Sequence, residues 1–472
     1  MIRVLNAYFP SRTVFLGISE ACIVVLAFVG AAVGRLGSAE AMSMLGYERG
    51  YFKILVVSAA FVTCMYYFDL YDSQVLSNRQ EVIGRLIQVP GAVCILLAVL
   101  YYANPSLDLG RQVFYIGFLA VLVILLCWRR LFLTLNNQPE FAKRAVLFGD
   151  GPLAVPLIRE LKSRPEVGLR IASHVTISNN GHKTQNCQVR DPVSDLVSAA
   201  ASDELMREVE LHRATTIIVA LDDRRGKLPI ESLLALKSRG MRVQDAADVY
   251  EAVTGKVPIE SLYLGRLLFS PGFYVSRATL ILERFVSVGL SLLGALLLLP
   301  LVPLIALAVK LTSQGPIFYR QKRVGRNDCI FDCYKFRTMD VNAEADTGAT
   351  WASDDDPRVT PVGRFLRTLR LDEIPQLWNV LKGDMNLVGP RPERPEFVDR
   401  FKREVPFYHL RHFIRPGITG WAQIRFGYGS SLQDVKEKLR YDLFYIKNMS
   451  VGLDLLVLFH TTKTVLLGRG AK

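Results

Sequence analysis

FVSVGLSLLGALLLLPLVPLIALAV, residues 285–309, is an uncharged run of 25 residues between Arg284 and Lys310. A helix crosses the hydrocarbon core of a bilayer with about 20 apolar residues, so this run is long enough. Pro300 and Pro303 interrupt it. Proline removes a helical hydrogen bond and clashes with the preceding turn. Both flanks are basic, with Arg277 and Arg284 before and Lys310, Arg320, Lys322, Arg323 and Arg326 after. Basic flanks favour the cytoplasmic side. The reading that satisfies both observations is a re-entrant helix that enters one leaflet, breaks at the prolines and returns. Such a break needs protein or polar groups to satisfy the freed backbone. The alternative is a plain fifth span. It would place everything downstream outside the cytoplasm, and no later segment returns the chain.

The composition agrees with a membrane protein. Half of the 472 residues are hydrophobic, and the mean hydropathy is positive. Residues 13–34 carry only Glu20 as a charge; residues 54–68, 86–107 and 112–128 carry none. Four spanning helices in two hairpins follow, the second of marginal length. Arg3, Arg12, Arg79, Arg85, Arg129, Arg130, Lys143 and Arg144 fall on one side of that bundle. Arg35, Arg49, Lys53 and Arg111 fall on the other. The more basic side is read as cytoplasmic, so both ends of the bundle lie there. Buried core helices of a soluble domain are the competing reading. The net charge of +13 suits anionic lipid or phosphorylated substrates better than nucleic acid once membrane segments are present. The start lacks the pattern of a cleavable signal peptide. The seven cysteines are scattered, several in apolar runs, and Cys329 and Cys333 lack the spacing of a zinc site.

After Lys143 the texture changes. AVLFGDGPLA (145–154) reads as a buried strand and a glycine turn. IASHVTI (171–177), TTIIVA (215–220) and MRVQD (241–245) are further strands, separated by helical stretches. Strands alternating with helices predict a parallel, doubly wound sheet. Gly149, Gly151 and Ala154 match the dinucleotide fingerprint. The ribose-binding acid expected about 20 residues on is missing, since HVTISNNGHK (174–183) has no Asp or Glu. A nucleotide-binding-like domain with a structural or regulatory role fits better than NAD binding.

Downstream of the membrane run the chain is basic, and it contains LRLDEIPQLWNVLKGDMNLVGPRP, residues 369–392. Ile374, Leu377, Trp378 and Leu381 have helical spacing. Pro375 fits a first turn and Gly383 a C-cap, which predicts a helix over 371–382. Asp372 then sits at or beside the N-cap and Glu373 in the first turn, where phosphates bind well. Arg364, Arg367, Arg370 and Arg391 surround the pair. A carboxylate there can attack phosphorus, and a second can hold Mg²⁺ against a diphosphate. A capping role for Asp372 is the plain alternative.

GPIFYRQKRVGRN, YKFRTM, DPRVTPVGRFLR, LDEIPQLWNVLKGDMNLVGPRP and RPGITGWAQIR together resemble the bacterial sugar transferase family, the monotopic polyprenol-phosphate phosphoglycosyl transferases. The resemblance is dense over 275–472. The upstream parts are similar to the large initiating enzymes of exopolysaccharide and O-antigen synthesis. It implies that a UDP-sugar and undecaprenyl phosphate give undecaprenyl-diphosphate-sugar and UMP. It implies Asp372 as nucleophile and Glu373 as the Mg²⁺ partner. It assigns Lys335, Arg337, Arg367, Arg391 and Asp442 to substrate phosphates, and Pro300 and Pro303 to the break in the membrane helix. It further implies the bacterial inner membrane, a cytoplasmic catalytic domain and downstream glycosyltransferases as partners; a homo-oligomer stays open. Two departures stand out. Many members have Ser-Pro at the break, where this chain has Leu299-Pro300. Many also carry a Gly-Arg-Asn element after WAQ, where this chain reads IRFGYGSS (424–431), a candidate for sugar choice.

The expected architecture is a four-helix membrane bundle (1–140), a Rossmann-like α/β domain (141–270) and a mixed α/β catalytic domain with a re-entrant helix (271–472). Two other functions compete. An NAD-dependent nucleotide-sugar dehydratase or epimerase would need a Tyr-x-x-x-Lys pair, and Tyr250 and Lys256 are wrongly spaced. A non-enzymatic scaffold or regulator of polysaccharide assembly would leave the dyad and its arginines unexplained.

Overall fold

The structure is a computed structural model of the chain. It describes every residue except 48, 73–74, 77, 137, 139–141, 177–193, 223–227, 263–271, 274, 341–342, 344–355, 428, 430 and 467–472. The chain forms two compact units, residues 1–2 with 9–249 and residues 3–8 with 250–472.

The first unit begins with four long helices, α1 (Ser11–Leu36), α2 (Gly50–Tyr67), α3 (Arg79–Ala103) and α4 (Arg111–Asn136), with a ten-residue helix, Ser38–Tyr47, between the first two. All four are long and apolar enough to cross a membrane. The marginal second segment reaches 18 residues because its helix starts at Gly50 and takes in Lys53. The helices meet through Leu16, Val24, Phe28, Ile54, Phe61, Leu86, Val93, Val121 and Leu125. Gly117 of α4 lets Phe28 of α1 close in, since a Cβ there would stand 2.6 Å from the ring.

Glu20 and Arg129 are paired inside this bundle, where both are buried. Arg129 Nη2 donates to Glu20 Oε2 at 3.0 Å and Nη1 to the Leu70 carbonyl at 2.6 Å. The Tyr71 hydroxyl donates to the same carboxylate at 2.8 Å. A lone charge in hydrocarbon is expensive, and each of these groups supplies the other's partner. Arg129 is therefore not a flanking basic residue, as its position near the segment end suggested.

The sheet that follows is parallel, in the order β2-β1-β3-β4. Its strands are β1 (Lys143–Phe148), β2 (Leu169–Val175), β3 (Thr216–Val219) and β4 (Arg242–Asp245). Helices α5 (Ala154–Ser163), α6 (Ser194–Leu211) and α7 (Ile230–Ser238) lie between successive strands. Val146, Phe148, Ile217 and Val219 are buried, as central parallel strands require. This is the alternating α/β arrangement expected. The turn after β1 is closed on the sheet. The Gly149 amide donates to the Val175 carbonyl at 2.8 Å and the Gly151 amide to the Ala220 carbonyl at 2.7 Å. Gly149 has φ 103°, and a Cβ on Gly151 would stand 2.6 Å from the Ala220 oxygen. The segment 177–183, part of the search for a ribose acid, lies outside the described residues.

The second unit contains α8 (Arg277–Leu298) and α9 (Leu301–Thr312). The hairpin β5 (Phe318–Val324) with β6 (Ile330–Phe336) follows, then α10 (Pro361–Thr368) and α11 (Gln376–Lys382). The parallel pair β7 (Asn386–Val388) and β8 (Gly417–Thr419) precedes α12 (Leu432–Asn448) and α13 (Val451–Leu466). The apolar run is two helices, broken at Leu299 and Pro300. Pro303 falls in the first turn of α9, where its missing N–H leaves no intrahelical bond unmade. Glu283, Ser287 and Ser291 form the buried face of α8, while Phe285, Leu292, Leu293, Leu296 and Leu297 are exposed. A helix with its polar face inward and its leucines outward suits a lipid surround. Ile305 and Val309 of α9 pack on Phe336 and Leu366.

Candidate active site

Lys335 lies near the end of β6, opposite Tyr319. Phe336 beside it joins the core under α9, which anchors the strand. Asn379 of α11, fully buried, ties helix to strand. Its Nδ2 donates to the Asp332 carbonyl at 2.7 Å and to Asp384 Oδ2 at 3.1 Å, and its Oδ1 accepts from the Tyr334 amide at 3.0 Å. These bonds set the distance between Lys335 and the acids that precede α11.

The acids do not sit on one continuous helix over 371–382. Arg370 takes a left-handed conformation with φ 57°, and Leu371–Glu373 form a single 3₁₀ turn. A separate seven-residue helix then starts behind Pro375. Neither acid caps either piece with its side chain. Pro375 accounts for the split, because its ring denies the preceding residues an α-helical continuation. Gly383 does close α11 as expected, with φ 105° and its amide on the Asn379 and Val380 carbonyls. Leu371 and Ile374 pack toward Phe336 and Leu366 and hold the turn down.

Basic side chains, not a long helix dipole, dominate the charge around the pair. Lys335 Nζ is 2.8 Å from Glu373 Oε1 and 3.8 Å from Asp372 Oδ2. Arg391 Nη2 meets the same Glu373 oxygen at 2.9 Å. Burial pushes the Glu373 carboxyl up, but Lys335 and Arg391 outweigh it and hold the group well below the usual carboxylate range. Asp372 moves the other way. Burial raises it, the Glu373 charge raises it further, and Lys335 and Arg367 only partly offset this. Two adjacent acids are thus driven apart, with Glu373 the firm anion.

The other residues singled out in the sequence divide. Arg367 donates from Nε to Thr338 Oγ1 at 2.9 Å and faces Asp372 electrostatically. Arg337 points elsewhere, with Nη2 on the carbonyl and the hydroxyl of Ser313 at 2.8 Å each, at the end of α9. Asp442 stands behind the cluster. It is 2% exposed and pairs with Arg411 at 2.9 Å. Burial pushes its carboxyl up to about 6, against the pull of Arg411. Arg411 and Asn379 are the site-building residues that the sequence reading passed over. In the candidate sugar loop, Arg425 lies over the Trp421 ring at 4.6 Å, and Tyr428 and Ser430 lie outside the described residues. Cys333 packs with Val380 and Met385 in the core. Among the described residues no group of three or more His, Cys, Asp or Glu side chains gathers.

Two carboxylates with cations on one oxygen of Glu373 fit a Mg²⁺ ion of the kind held by one or two acids plus substrate phosphates. Both cationic contacts to Glu373 use Oε1, so they do not engage Oε2.

A model of the bacterial sugar transferase family matches residues 278–468, and a model of a CoA-binding domain matches residues 66–228. UDP-N-acetylgalactosamine-undecaprenyl-phosphate N-acetylgalactosaminephosphotransferase of Aeromonas hydrophila is 46% identical over 231 residues, 48% of this chain and 52% of that protein. The UDP-glucose:undecaprenyl-phosphate glucose-1-phosphate transferase of Xanthomonas campestris pv. campestris is 29% identical over 428 residues, 86% of this chain and 84% of that one. Its counterpart from Klebsiella pneumoniae is 31% identical over 371 residues, 75% of each chain. The chain therefore spans about half the length of the Aeromonas relative and most of the other two. On the CoA-binding side, the amides of Gly149 and Gly151 already serve Val175 and Ala220, and the carbonyl of Ala220 fills the space above Gly151. That turn does not fit a cradle for phosphates, and no step below uses such a group.

Proposed function

Because this chain belongs to the bacterial sugar transferase family of phosphoglycosyl transferases, we propose that it moves a sugar 1-phosphate from a UDP-sugar to undecaprenyl phosphate. The products are undecaprenyl-diphosphate-sugar and UMP. The observation that carries the reading is the pairing of Lys335 and Arg391 on Glu373 directly beside Asp372. The names of the relatives above support the donor and acceptor classes.

The reaction proceeds in two displacements. An Asp372 oxygen attacks the β-phosphorus of the UDP-sugar, the bond from that phosphorus to the bridging oxygen breaks, and UMP leaves. A phosphate oxygen of undecaprenyl phosphate then attacks the same phosphorus, and the Asp372 carboxylate departs. Splitting the transfer in this way replaces one hard step with two easier ones. Lys335, Arg367 and Arg391 orient the diphosphate oxygens and offset their charge. Glu373 would hold Mg²⁺, which when bound neutralises the diphosphate and the departing UMP. Asp372 must lose its proton before it attacks, so its raised pKa sets the lower pH limit of the reaction.

Residues 285–309 re-enter the membrane without crossing it. The turn at Leu299 and Pro300, and the seating of α9 on Phe336 and Leu366 beside the dyad turn, support this. The catalytic part then faces the cytoplasm at the bacterial inner membrane, where UDP-sugars are made. The product initiates exopolysaccharide, O-antigen or capsule synthesis and passes to downstream glycosyltransferases.

Purified protein in detergent, given undecaprenyl phosphate, Mg²⁺ and a panel of UDP-sugars, should release UMP with at least one of them. It should also carry a trapped adduct of sugar-phosphate mass on Asp372 when the acceptor is withheld. No UMP from any donor would overturn the activity. UMP release with no adduct under rapid quench would overturn the two-step route.

A further inference from the structure

Arg391 lies in Gly389-Pro390-Arg391-Pro392, a stretch held at every residue. The Gly389 amide donates to the Thr419 carbonyl at 2.9 Å, and the Gly417 amide donates to the Pro390 carbonyl at 3.0 Å. Arg323 Nη1 donates to the Pro392 carbonyl at 3.0 Å. Arg411 Nη2 donates to the carbonyl of Arg391 itself at 2.8 Å. Two prolines fix φ on either side of Arg391, so the direction of its side chain follows from where its own peptide is pinned.

Arg411 is in turn held for that task through both of its terminal nitrogens. It is 7% exposed. Nη1 donates to the Tyr408 hydroxyl at 2.6 Å, and its guanidinium lies over the Tyr408 ring at 5.2 Å. Nη2 also pairs with Asp442 at 2.9 Å. A buried ion pair is weak as a source of stability, because desolvation cancels most of the attraction. A planar fork that meets three partners at once is instead a good way to fix one carbonyl in place.

We propose that Arg411, oriented by Asp442 and Tyr408, is a positioning residue that sets Arg391 against Glu373. The inference rests on the transferase reading above and extends it. Asp442 then acts on the reaction through two residues and touches no substrate phosphate. An error of about 1 Å in a group that orients substrate can cost on the order of 10²-fold in rate.

The test uses full-length protein. Arg411→Lys keeps the charge but gathers its donors on one nitrogen, so it cannot span the Tyr408 hydroxyl, the Arg391 carbonyl and Asp442 as the planar fork does. It should lower kcat for UMP release by roughly 10- to 100-fold, with a smaller change in KM, and Tyr408→Phe should do so more mildly. In an Arg391→Ala background the same substitutions should cost less than about 3-fold more, because the residue they act through is gone. Amide hydrogen exchange over residues 386–394 should quicken in both single variants. Equal losses in both backgrounds, or unchanged exchange over 386–394, would overturn the proposal. If Arg411→Lys does not fold, Tyr408→Phe alone decides, since it deletes only one hydroxyl. Wild-type protein that releases no UMP would sink the transferase reading, and the exchange result would still judge the positioning role.

Discussion

Lys335 Nζ stands 2.8 Å from Glu373 and 3.8 Å from Asp372, so one ammonium serves both acids unequally. It lowers both carboxyls, and it hydrogen-bonds only the nearer one, Glu373. The protein thereby keeps one acid firmly charged and leaves the other closer to its protonated form. Of the cationic groups acting on the pair, Lys335 is the strongest on each.

Lys335→Met should therefore raise both carboxyls. The proposed nucleophile would be protonated over a wider range, so the acid limb of the pH–rate profile for UMP release should move to higher pH. The maximum rate should fall by about 10²-fold or more as the charge facing the phosphates is lost. Rates measured from pH 5 to pH 9 would show it. An acid limb at the wild-type position would mean that Lys335 does not tune the reacting acid.

Asp372→Asn keeps the shape of the turn and removes the attacking oxygen's charge. Activity should drop by at least ~10³-fold, and the trapped adduct should vanish. Folding should be unaffected, because neither flanking element uses the Asp372 side chain as a cap. Near-normal turnover by a folded variant would remove Asp372 from the role of nucleophile.

Some of this was legible in residue order alone and some was not. The spanning helices are legible because long runs with one charge or none are themselves the signal, and the parallel strands because Val146, Phe148, Ile217 and Val219 come in short buried runs. The dyad announces itself by adjacency. Pro375 announces a helix start, but residue order alone does not say whether residues 371–374 belong to that helix. The proline ring ends the continuation, and the packing of Leu371 and Ile374 with Phe336 and Leu366 holds the preceding residues as a separate turn. Asn379 reaches its strand partner 47 residues back, and Arg129 finds Glu20 across 109 residues. Such pairs leave no periodic trace. Arg411 is 20 residues from Arg391 and acts through a main-chain oxygen, which no side-chain pattern records.

Asp454 carries a pH-dependent liability. It is buried in α13, and burial pushes its carboxyl up to about 7, while the Tyr445 hydroxyl at 2.6 Å pulls it part of the way back. An acid whose folded pKa lies above its unfolded value near 4 is best tolerated when protonated. Its contribution to stability is most favourable below about pH 4 and worsens as pH rises through about 7. Asp454→Asn keeps an acceptor for Tyr445 and removes the charge. It should raise Tm by a few degrees at pH 8 and make little difference near pH 4. A variant less stable than wild type at pH 8 would mean that the carboxylate has a partner worth more than its burial costs.

The last prediction is topological. Residues 285–309 have basic flanks, a turn at Leu299 and Pro300, and a second arm seated on Phe336 and Leu366. If the run re-enters, its two ends face the same compartment. Single cysteines at Ala278 and Thr312, in a chain freed of its native cysteines, should both resist an impermeant thiol reagent in intact cells. Both should label once the inner membrane is opened. A cysteine at Asp108, in the turn between α3 and α4, should label from outside and serves as the internal control. Labelling at 312 alone in intact cells would mean a true fifth span. Asp372 would then lie across the membrane from the cytosolic UDP-sugars, and the two-step transfer could not run with that donor.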